Sequence, residues 1–334
     1  MNSLINTFLN HFDSNINSAH KIAVSGSGRV NYIVASDVNT YVLTVNDNVP
    51  ENESFFYLTD LLKSLNGNVP EVLAVSKDKT MYIQSYLGDK TLLQKRLENE
   101  AATEDYKRTI QQLAKLQVAT FQIIDPSKLY DSTSLDEPLI YRDLFYFKNY
   151  FLDFTPTGYL QSKLLKDFQK LVRKVMDSHY KYFIFRDFQG RNVMIKDDKP
   201  YFIDYQDGMI GPIAYDLVSI LWQAKAALKA TEKYDLIQVY TNQIKELLPN
   251  DFNMTTFIED YNHCLILRLL QVLGAYGKLG IIGNKPHFKE SISFGIHNLK
   301  TIKDETFMDK FPTLRDIFNQ LESDSMLNMN SWQN

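Results

Sequence analysis

Between residues 21 and 86 the chain alternates apolar and polar positions in short runs. Residues 21–24 and 30–35 are β-prone and are separated by Ser25-Gly26-Ser27-Gly28; residues 39–45, rich in Val, Thr and Tyr, form a third run. From 51 to 65 the period becomes that of a helix, with Phe55, Leu58, Leu61, Leu62 and Leu65 recurring on one side, and Gly67 and Pro70 close it. Residues 72–75 and 81–86 return to strand, divided by the charged turn Ser76-Lys77-Asp78-Lys79. The pattern predicts three strands, a helix and two more strands.

After Gly88 the spacing is helical: 92–121, 140–154 and 160–179, then 217–229, 234–247, 255–276, 293–303 and a closing turn at 317–321. A β-rich island at 182–205 interrupts it. The change near residues 86–89 predicts a small strand-rich N-terminal lobe over 1–86 and a larger helical lobe over 87–334, with a cleft between them as the expected place for a ligand.

Composition narrows the partners. Lys plus Arg is 36 against 40 Asp plus Glu, a net charge of -4, which argues against general affinity for nucleic acid or acidic lipid. The hydrophobic share of 44% fits a soluble globular chain rather than a disordered one. With Cys264 as the only cysteine, an intramolecular disulfide and a Cys-based metal cluster are both excluded, and its apolar helical surroundings predict a buried packing thiol. The first residues lack a basic n-region, and no window approaches ~18 consecutive apolar residues. The expected compartment is therefore the cytoplasm, with no membrane and no obligatory protein partner.

The chemistry sits in the β-rich island. Phe183-Ile184-Phe185-Arg186-Asp187-Phe188-Gln189-Gly190-Arg191-Asn192-Val193-Met194-Ile195 places a polar loop between two apolar strands, and Tyr201-Phe202-Ile203-Asp204-Tyr205 ends a third strand in an acid. A kinase catalytic loop reads H-R-D-x-x-x-x-N, and Arg186-Asp187 is followed by Asn192 at that interval. In this reading Asp187 accepts the proton of an attacking hydroxyl, while Asn192 and Asp204 hold Mg²⁺ against the nucleotide phosphates. Singly, Arg186-Asp187 also reads as a surface ion pair and Asp204-Tyr205-Gln206-Asp207-Gly208 as an acidic turn. Their order and spacing together point to phosphoryl transfer.

These segments, with Gly211-Pro212-Ile213-Ala214-Tyr215-Asp216-Leu217, Asp143-Leu144-Phe145-Tyr146-Phe147-Lys148 and Gln271-Val272-Leu273-Gly274-Ala275-Tyr276-Gly277, resemble the aminoglycoside phosphotransferase family. The likeness runs over about 25–299 and is greatest to the bacterial branch of N-acetylmuramate/N-acetylglucosamine kinases, which phosphorylate an anomeric hydroxyl in cell-wall sugar recycling. The resemblance implies an α+β, two-lobed protein-kinase-like fold with a small five-stranded N-lobe and a mainly helical C-lobe. It also implies ATP, Mg²⁺ and a small hydroxyl-bearing acceptor, an amino sugar above all.

Three positions depart from that pattern. Phe185 stands where the loop usually opens with His, so an aromatic packed beneath the loop is expected to support it. The strand around Thr44 lacks the phosphate-pairing lysine, leaving Arg29 or another cation to cover the phosphates. Without that lysine Glu51 and Glu53 have no obvious ion-pair partner, and each reads as a helix N-terminal acid favoured by the macrodipole.

Ser25, Gly26, Ser27 and Gly28 lie between two strands as a phosphate-covering loop would, with Arg29 beside them. A dinucleotide fingerprint is a poorer match, because Asn31 replaces the third glycine and a strand follows. Gln84, Ser85 and Tyr86 are placed to offer backbone groups to adenine. Asp216 reads as a helix N-cap or a loop brace. Arg191 either faces the transferred phosphoryl group or braces a carboxylate. For the acceptor, Arg142, Asp143, Gln206 and Asp207 are candidates, with Tyr146 or Trp222 as an aromatic face. Rival readings are a kinase for an aminoglycoside, a choline-like amine or another hexose, and, in a different class, a nucleotide-binding scaffold with a degenerate kinase fold. An aminoglycoside pocket should be strongly acidic, and residues 307–334 are only mildly so.

Overall fold

The computed structural model describes residues 3–22, 28–98 and 102–321. It opens on a short helix absent from the expectation, α1 (Ser3–Phe12), which turns Ile5 and Leu9 inward. β1 (Ile16–Lys21) follows, several residues before its expected place, then β2 (Val30–Ser36), β3 (Thr40–Val45), α2 (Val49–Ser64), β4 (Val72–Val75) and β5 (Met81–Ser85). The strands make a five-stranded sheet in the order β1-β2-β3-β5-β4, with antiparallel pairing throughout.

Strand periodicity gives the sheet two different faces. Val34, Leu43 and Ile83 pack with Ile5 and Leu9 into one apolar cluster. The register sets Asn31 opposite Thr44 and Thr44 opposite Tyr82, so these three share the other face. There Tyr82 stacks on Phe55 of α2, ring centroids 5.1 Å apart. That helix starts at the N-cap Asn48, with Pro50 in the first turn, where no main-chain donor is needed.

The expected helix at 92–121 is two helices, α3 (Leu92–Leu97), opened by a Thr91/Gln94 capping box, and α4 (Thr103–Ile123). Lys95 Nζ lies 2.6 Å from Asp105 Oδ2 and ties them together. α5 (Glu137–Tyr150), α6 (Gln161–Met176) and β6 (Lys181–Ile184) follow. β7 (Val193–Lys196) and β8 (Lys199–Phe202) then form a tight hairpin through Asp197 and Asp198, both at positive φ (50° and 56°), as a two-residue primed turn requires. β9 (Met209–Pro212) pairs with β6, and α7 (Ala214–Leu221), α8 (Ala230–Leu247), α9 (Met254–Tyr276), α10 (Pro286–Ile302) and α11 (Pro312–Gln320) complete the described chain. The helix expected over 217–229 stops at Leu221, and Ala227 at φ 45° separates it from α8. Asp216 is not an N-cap: it lies buried in the first turn of α7, which starts from Ile213 with no side-chain cap.

Contacts divide the chain into two compact units, Met1–Thr133 with Phe185–Met209, and Ser134–Ile184 with the chain from Ile210. The expected boundary at 86/87 marks the change of secondary structure. The units differ from it because α3 packs on β7, α4 on β8 and α4 also on α2, which joins 87–133 and 193–202 to the N-terminal elements. The second unit is built around α9. With the π-helical turn after it, the span Met254–Ile282 is apolar and long enough to cross a bilayer, but 56% of its most apolar window is buried, and it packs against α5, α7 and α10 as a core helix. Gly274 and Gly277 allow the close crossing with α5. A Cβ on Gly274 would stand 2.6 Å from Phe147 N, and one on Gly277 would stand 2.0 Å from Tyr150 O. Cys264 is free and buried, as its setting predicts.

Candidate active site

The loop 185–192 is shaped by its own main chain. Phe185 O accepts from Asp187 N (2.9 Å), Asp187 O from Gln189 N (2.9 Å), and Gln189 O from Asn192 N (2.8 Å). Arg186, immediately before the candidate base, has φ 69°. A left-handed conformation is costly for a residue with a Cβ, and such strain clusters at functional positions. Phe185 is 2% exposed and packs at 5.3 Å on Phe188 and 5.4 Å on Phe202, with Phe188 and Phe202 at 4.8 Å. An aromatic cluster thus joins the loop to β8 where the kinase pattern has a histidine.

The hairpin brings the Asn192 side chain to the Asp204 carboxylate and to the main chain of Asp187. Ile203 N donates to Asn192 O (3.0 Å), which lays the residue before Asp204 beside Asn192. The Asn192 amide then donates both to the Asp187 carbonyl (2.9 Å) and to Asp204 Oδ2 (3.2 Å). The Asp187 carboxylate is held from within the loop by Gln189 Nε2 (3.2 Å) and Arg191 Nη2 (3.0 Å). Arg191 therefore braces a carboxylate, one of its two expected roles, and that carboxylate is the candidate base.

Asp204, at φ 63°, is also left-handed. Its Oδ1 accepts from Arg29 Nη2 (2.5 Å) and Gln206 Nε2 (3.2 Å). The neighbouring residues fix it to α2: Tyr205 is fully buried, stacks on Phe55 at 5.1 Å and meets Thr59 Oγ1 at 2.7 Å, while Ser54 Oγ donates to Gln206 O at 2.8 Å. Burial raises the Tyr205 hydroxyl far above its usual range, so it remains a neutral donor.

Arg29 has a second acid. Its Nε lies 3.3 Å from Glu51 Oε1, and both side chains are largely buried. Glu51 is steadied by the Asn46 amide at 3.0 Å. Burial alone would lower the Arg29 pKa, but Asp204, Tyr82 and Glu51 outweigh it and the guanidinium is held more firmly charged. Tyr82 beside it is pushed up to about 12, chiefly by burial. The expectation that Glu51 lacks an ion-pair partner is corrected: it is both a first-turn helix acid and the partner of Arg29. Glu53 instead meets Lys79 at the surface, at 2.5 Å. At the position expected for lysine, Thr44 is buried and donates to Asn31 Oδ1 (2.8 Å). Burial raises the pKa of Asp207, and Arg186 opposes the shift.

Other expected residues are placed as follows. Ser25, Gly26 and Ser27 lie outside the described residues; Gly28 is described and exposed. Gln84 is on β5 between β3 and β4, where its main chain belongs to the sheet, so it presents its side chain, which reaches Thr44 Oγ1 at 3.3 Å. Tyr86 lies just beyond the strand, and its carbonyl accepts from Lys196 Nζ at 3.4 Å. Arg142, Asp143 and Tyr146 lie on α5 in the second unit, Arg142 and Asp143 forming an ion pair at 3.3 Å. Tyr146 packs on Tyr150 with Lys278 over its ring. Trp222, in the same unit, has Lys233 Nζ 3.3 Å from its ring centroid, and burial lowers that lysine to about 8.

Residues 21–247 match the phosphotransferase enzyme family designated APH. The chain belongs to that family. This phosphotransferase is accordingly a kinase with a hydroxyl acceptor. Over 240 residues it is 26% identical to an N-acetylmuramate/N-acetylglucosamine kinase of Neisseria meningitidis serogroup B, covering 70% of each chain. A kinase with the same name from Pseudomonas aeruginosa is 23% identical over 254 residues, 74% of this chain and 72% of that one. Among solved structures, it shares its fold with ADP-bound aminoglycoside phosphotransferase APH(2'')-Ib (TM-score 0.56, 15% identity, 89% of this chain and 98% of that one). It shares it also with choline kinase LicA of Streptococcus pneumoniae (TM-score 0.59, 11% identity, 90% of this chain and 100% of that one). The α+β, protein-kinase-like expectation for this phosphotransferase is thereby met, including the five-stranded antiparallel sheet.

Proposed function

We infer that this phosphotransferase uses ATP and Mg²⁺ to phosphorylate the anomeric hydroxyl of an amino sugar of the N-acetylmuramate/N-acetylglucosamine type. The observation that carries the reading is the Asn192 amide bridging the Asp187 carbonyl and the Asp204 carboxylate. The two relatives named as amino-sugar kinases support the choice of acceptor, and the ADP-bound structure supports an adenine nucleotide.

The residues fit magnesium. Among the described residues no group of three or more His, Cys, Asp or Glu could hold a metal ion by itself. One carboxylate and one amide oxygen, with phosphate and water completing the shell, is a donor set Mg²⁺ accepts, since it is seldom held in an all-protein cage. Asn192 and Asp204 would hold the ion, which when bound neutralises charge on the phosphates. Asp187 orients the acceptor hydroxyl and takes its proton; Gln189 and Arg191 fix that carboxylate, so it enters the reaction already aimed. Gly28, which is exposed, is assigned to cover the phosphates together with Ser25, Gly26 and Ser27, and Tyr86 offers main-chain groups to the base. Asp207, Arg142, Asp143 and Tyr146 are assigned to acceptor or phosphate contacts.

The test is a coupled kinase assay over N-acetylmuramate, N-acetylglucosamine, related hexoses, aminoglycosides and choline, with ³¹P NMR locating the phosphate. An anomeric phosphate on an amino sugar is the expected product. Turnover of aminoglycosides or choline alone would overturn the acceptor assignment.

A further inference from the structure

The cation expected in place of the missing lysine, Arg29, lies just before β2. Thr44, Asn31 and Tyr82 share a sheet face, and Arg29, two residues before Asn31, brings its guanidinium to the acids served from that face. The two acids differ in how they are held. Glu51 is steadied by Asn46 and lies at the start of a helix packed by Phe55 and Ser54. Asp204 has two neutral donors besides Arg29, the amides of Asn192 and Gln206.

We propose that Arg29 is a displaceable counter-ion: it holds the Asp204 carboxylate while nucleotide is absent and passes to the phosphates when nucleotide and metal arrive, with Glu51 as the fixed anchor. The proposal rests on the ATP- and Mg²⁺-dependent reading above. Asp204 and Glu51 both lie against the one guanidinium, so without Arg29 the two carboxylates lose their shared counter-charge. Arg29 supplies that charge in the free protein. A dication on Asp204 repels a guanidinium on the same carboxylate, so the two exclude each other. A phosphate oxygen is the natural second partner for the released Nη2, because the planar fork of arginine suits phosphate as well as carboxylate. Nε stays against Glu51 throughout, which keeps the movement short. The lysine missing near Thr44 is thus replaced by a cation that also guards the metal acid against a bare ion.

The two halves of this exchange predict opposite effects of one substitution, which a general loss of structure cannot produce. In the full chain, Arg29→Ala weakens binding of ATP with Mg²⁺ by ~10–100-fold, the usual worth of a lost charge-assisted hydrogen bond. It leaves adenosine affinity unchanged and makes Mn²⁺ alone, followed by EPR, bind tighter than to the wild type. Arg29→Lys retains the charge but not the fork, so ATP binding falls less and bare Mn²⁺ remains disfavoured; this variant also carries the test if the alanine protein does not fold. Glu51→Gln weakens ATP binding in the wild-type background and has no effect on it in Arg29→Ala. Unchanged ATP affinity in Arg29→Ala, or Mn²⁺ and ATP both weakened, overturns the exchange. If the wild type itself binds no ATP, the kinase reading fails and not merely the role of Arg29.

Discussion

The contact between Thr59 and Tyr205 decides how firmly α2, which carries Glu51, is tied to the segment that carries Asp204. Thr59 Oγ1 donates to Phe55 O at 2.7 Å, so at its 2.7 Å contact with Tyr205 it acts as acceptor and the phenol as donor. Both residues are buried, Thr59 at 1% exposure and Tyr205 at 0%. The two ends of this bond are therefore unequal. Tyr205→Phe removes one bond, leaves Thr59 satisfied by Phe55, and costs about 0.5–1.5 kcal/mol. Thr59→Val keeps the shape but strands the phenol O–H in an apolar setting, and should cost ~1–3 kcal/mol. In the double variant nothing is stranded, so its cost falls below the sum of the singles, with a coupling of about 1 kcal/mol. Urea unfolding of all four proteins, with unchanged m-values, measures the cycle. A cost for Tyr205→Phe equal to or above that of Thr59→Val, or strict additivity, would refute the assignment of donor and acceptor.

Three further outcomes follow from other parts of the molecule. Asp187→Asn should lower kcat by ~10²–10⁴-fold while leaving ATP affinity near wild type, and near-normal turnover would remove Asp187 as base. Gly274→Ala sets helix propensity, which favours alanine by ~1 kcal/mol, against a Cβ 2.6 Å from Phe147 N. The obstacle is backbone, so the variant should be destabilised by ~1–3 kcal/mol, and a rise in Tm would show that α5 and α9 can separate. His263 is buried, and desolvation, with Lys174 and Lys310 adding to it, lowers its pKa from 6.5 to about 4. A depressed folded-state pKa gives stability that is present above 6.5 and lost as pH falls through about 4, at most about 3 kcal/mol. As pH falls across that window wild type should lose stability relative to His263→Leu, and a parallel pair of curves would contradict a neutral buried imidazole.

The parts of this protein that were legible in the sequence depend on neighbours close along the chain. Asp187 and Asn192 are five residues apart in one loop, and Asn192 is joined to Asp204 by a short hairpin, so spacing alone predicted that they meet. The strands 30–35, 39–45, 72–75 and 81–86 declared themselves by alternation, and the α2 helix by its change of period. Local signals misled where tertiary packing sets the ends of an element. The apolar run after Asp216 continues past Trp222, yet α7 stops at Leu221. The spacing over 92–121 is continuous, yet α3 and α4 are separate helices linked by Lys95 and Asp105.

The partner of Asp204 could not be read the same way. Arg29 and Asp204 are 175 positions apart: the strand of Thr44 lacks a lysine, which left Arg29 as a cation for the phosphates, but nothing along the chain named Asp204 and Glu51 as its partners. Chemistry requires a positive charge at a place, not at a sequence position. An antiparallel sheet offers that place to either of two neighbouring strands, because Asn31 and Thr44 face the same side. Glu51, read from sequence as an acid without a partner, was the available sign that a cation had moved: a carboxylate in the first turn of α2 and a strand face lacking lysine imply that the compensating charge enters from elsewhere. Phe185 follows the same logic. Where the loop pattern has an imidazole, three aromatic rings with centroids 4.8–5.4 Å apart pack beneath it, and the strained Arg186 they support still delivers Asp187 to Asn192.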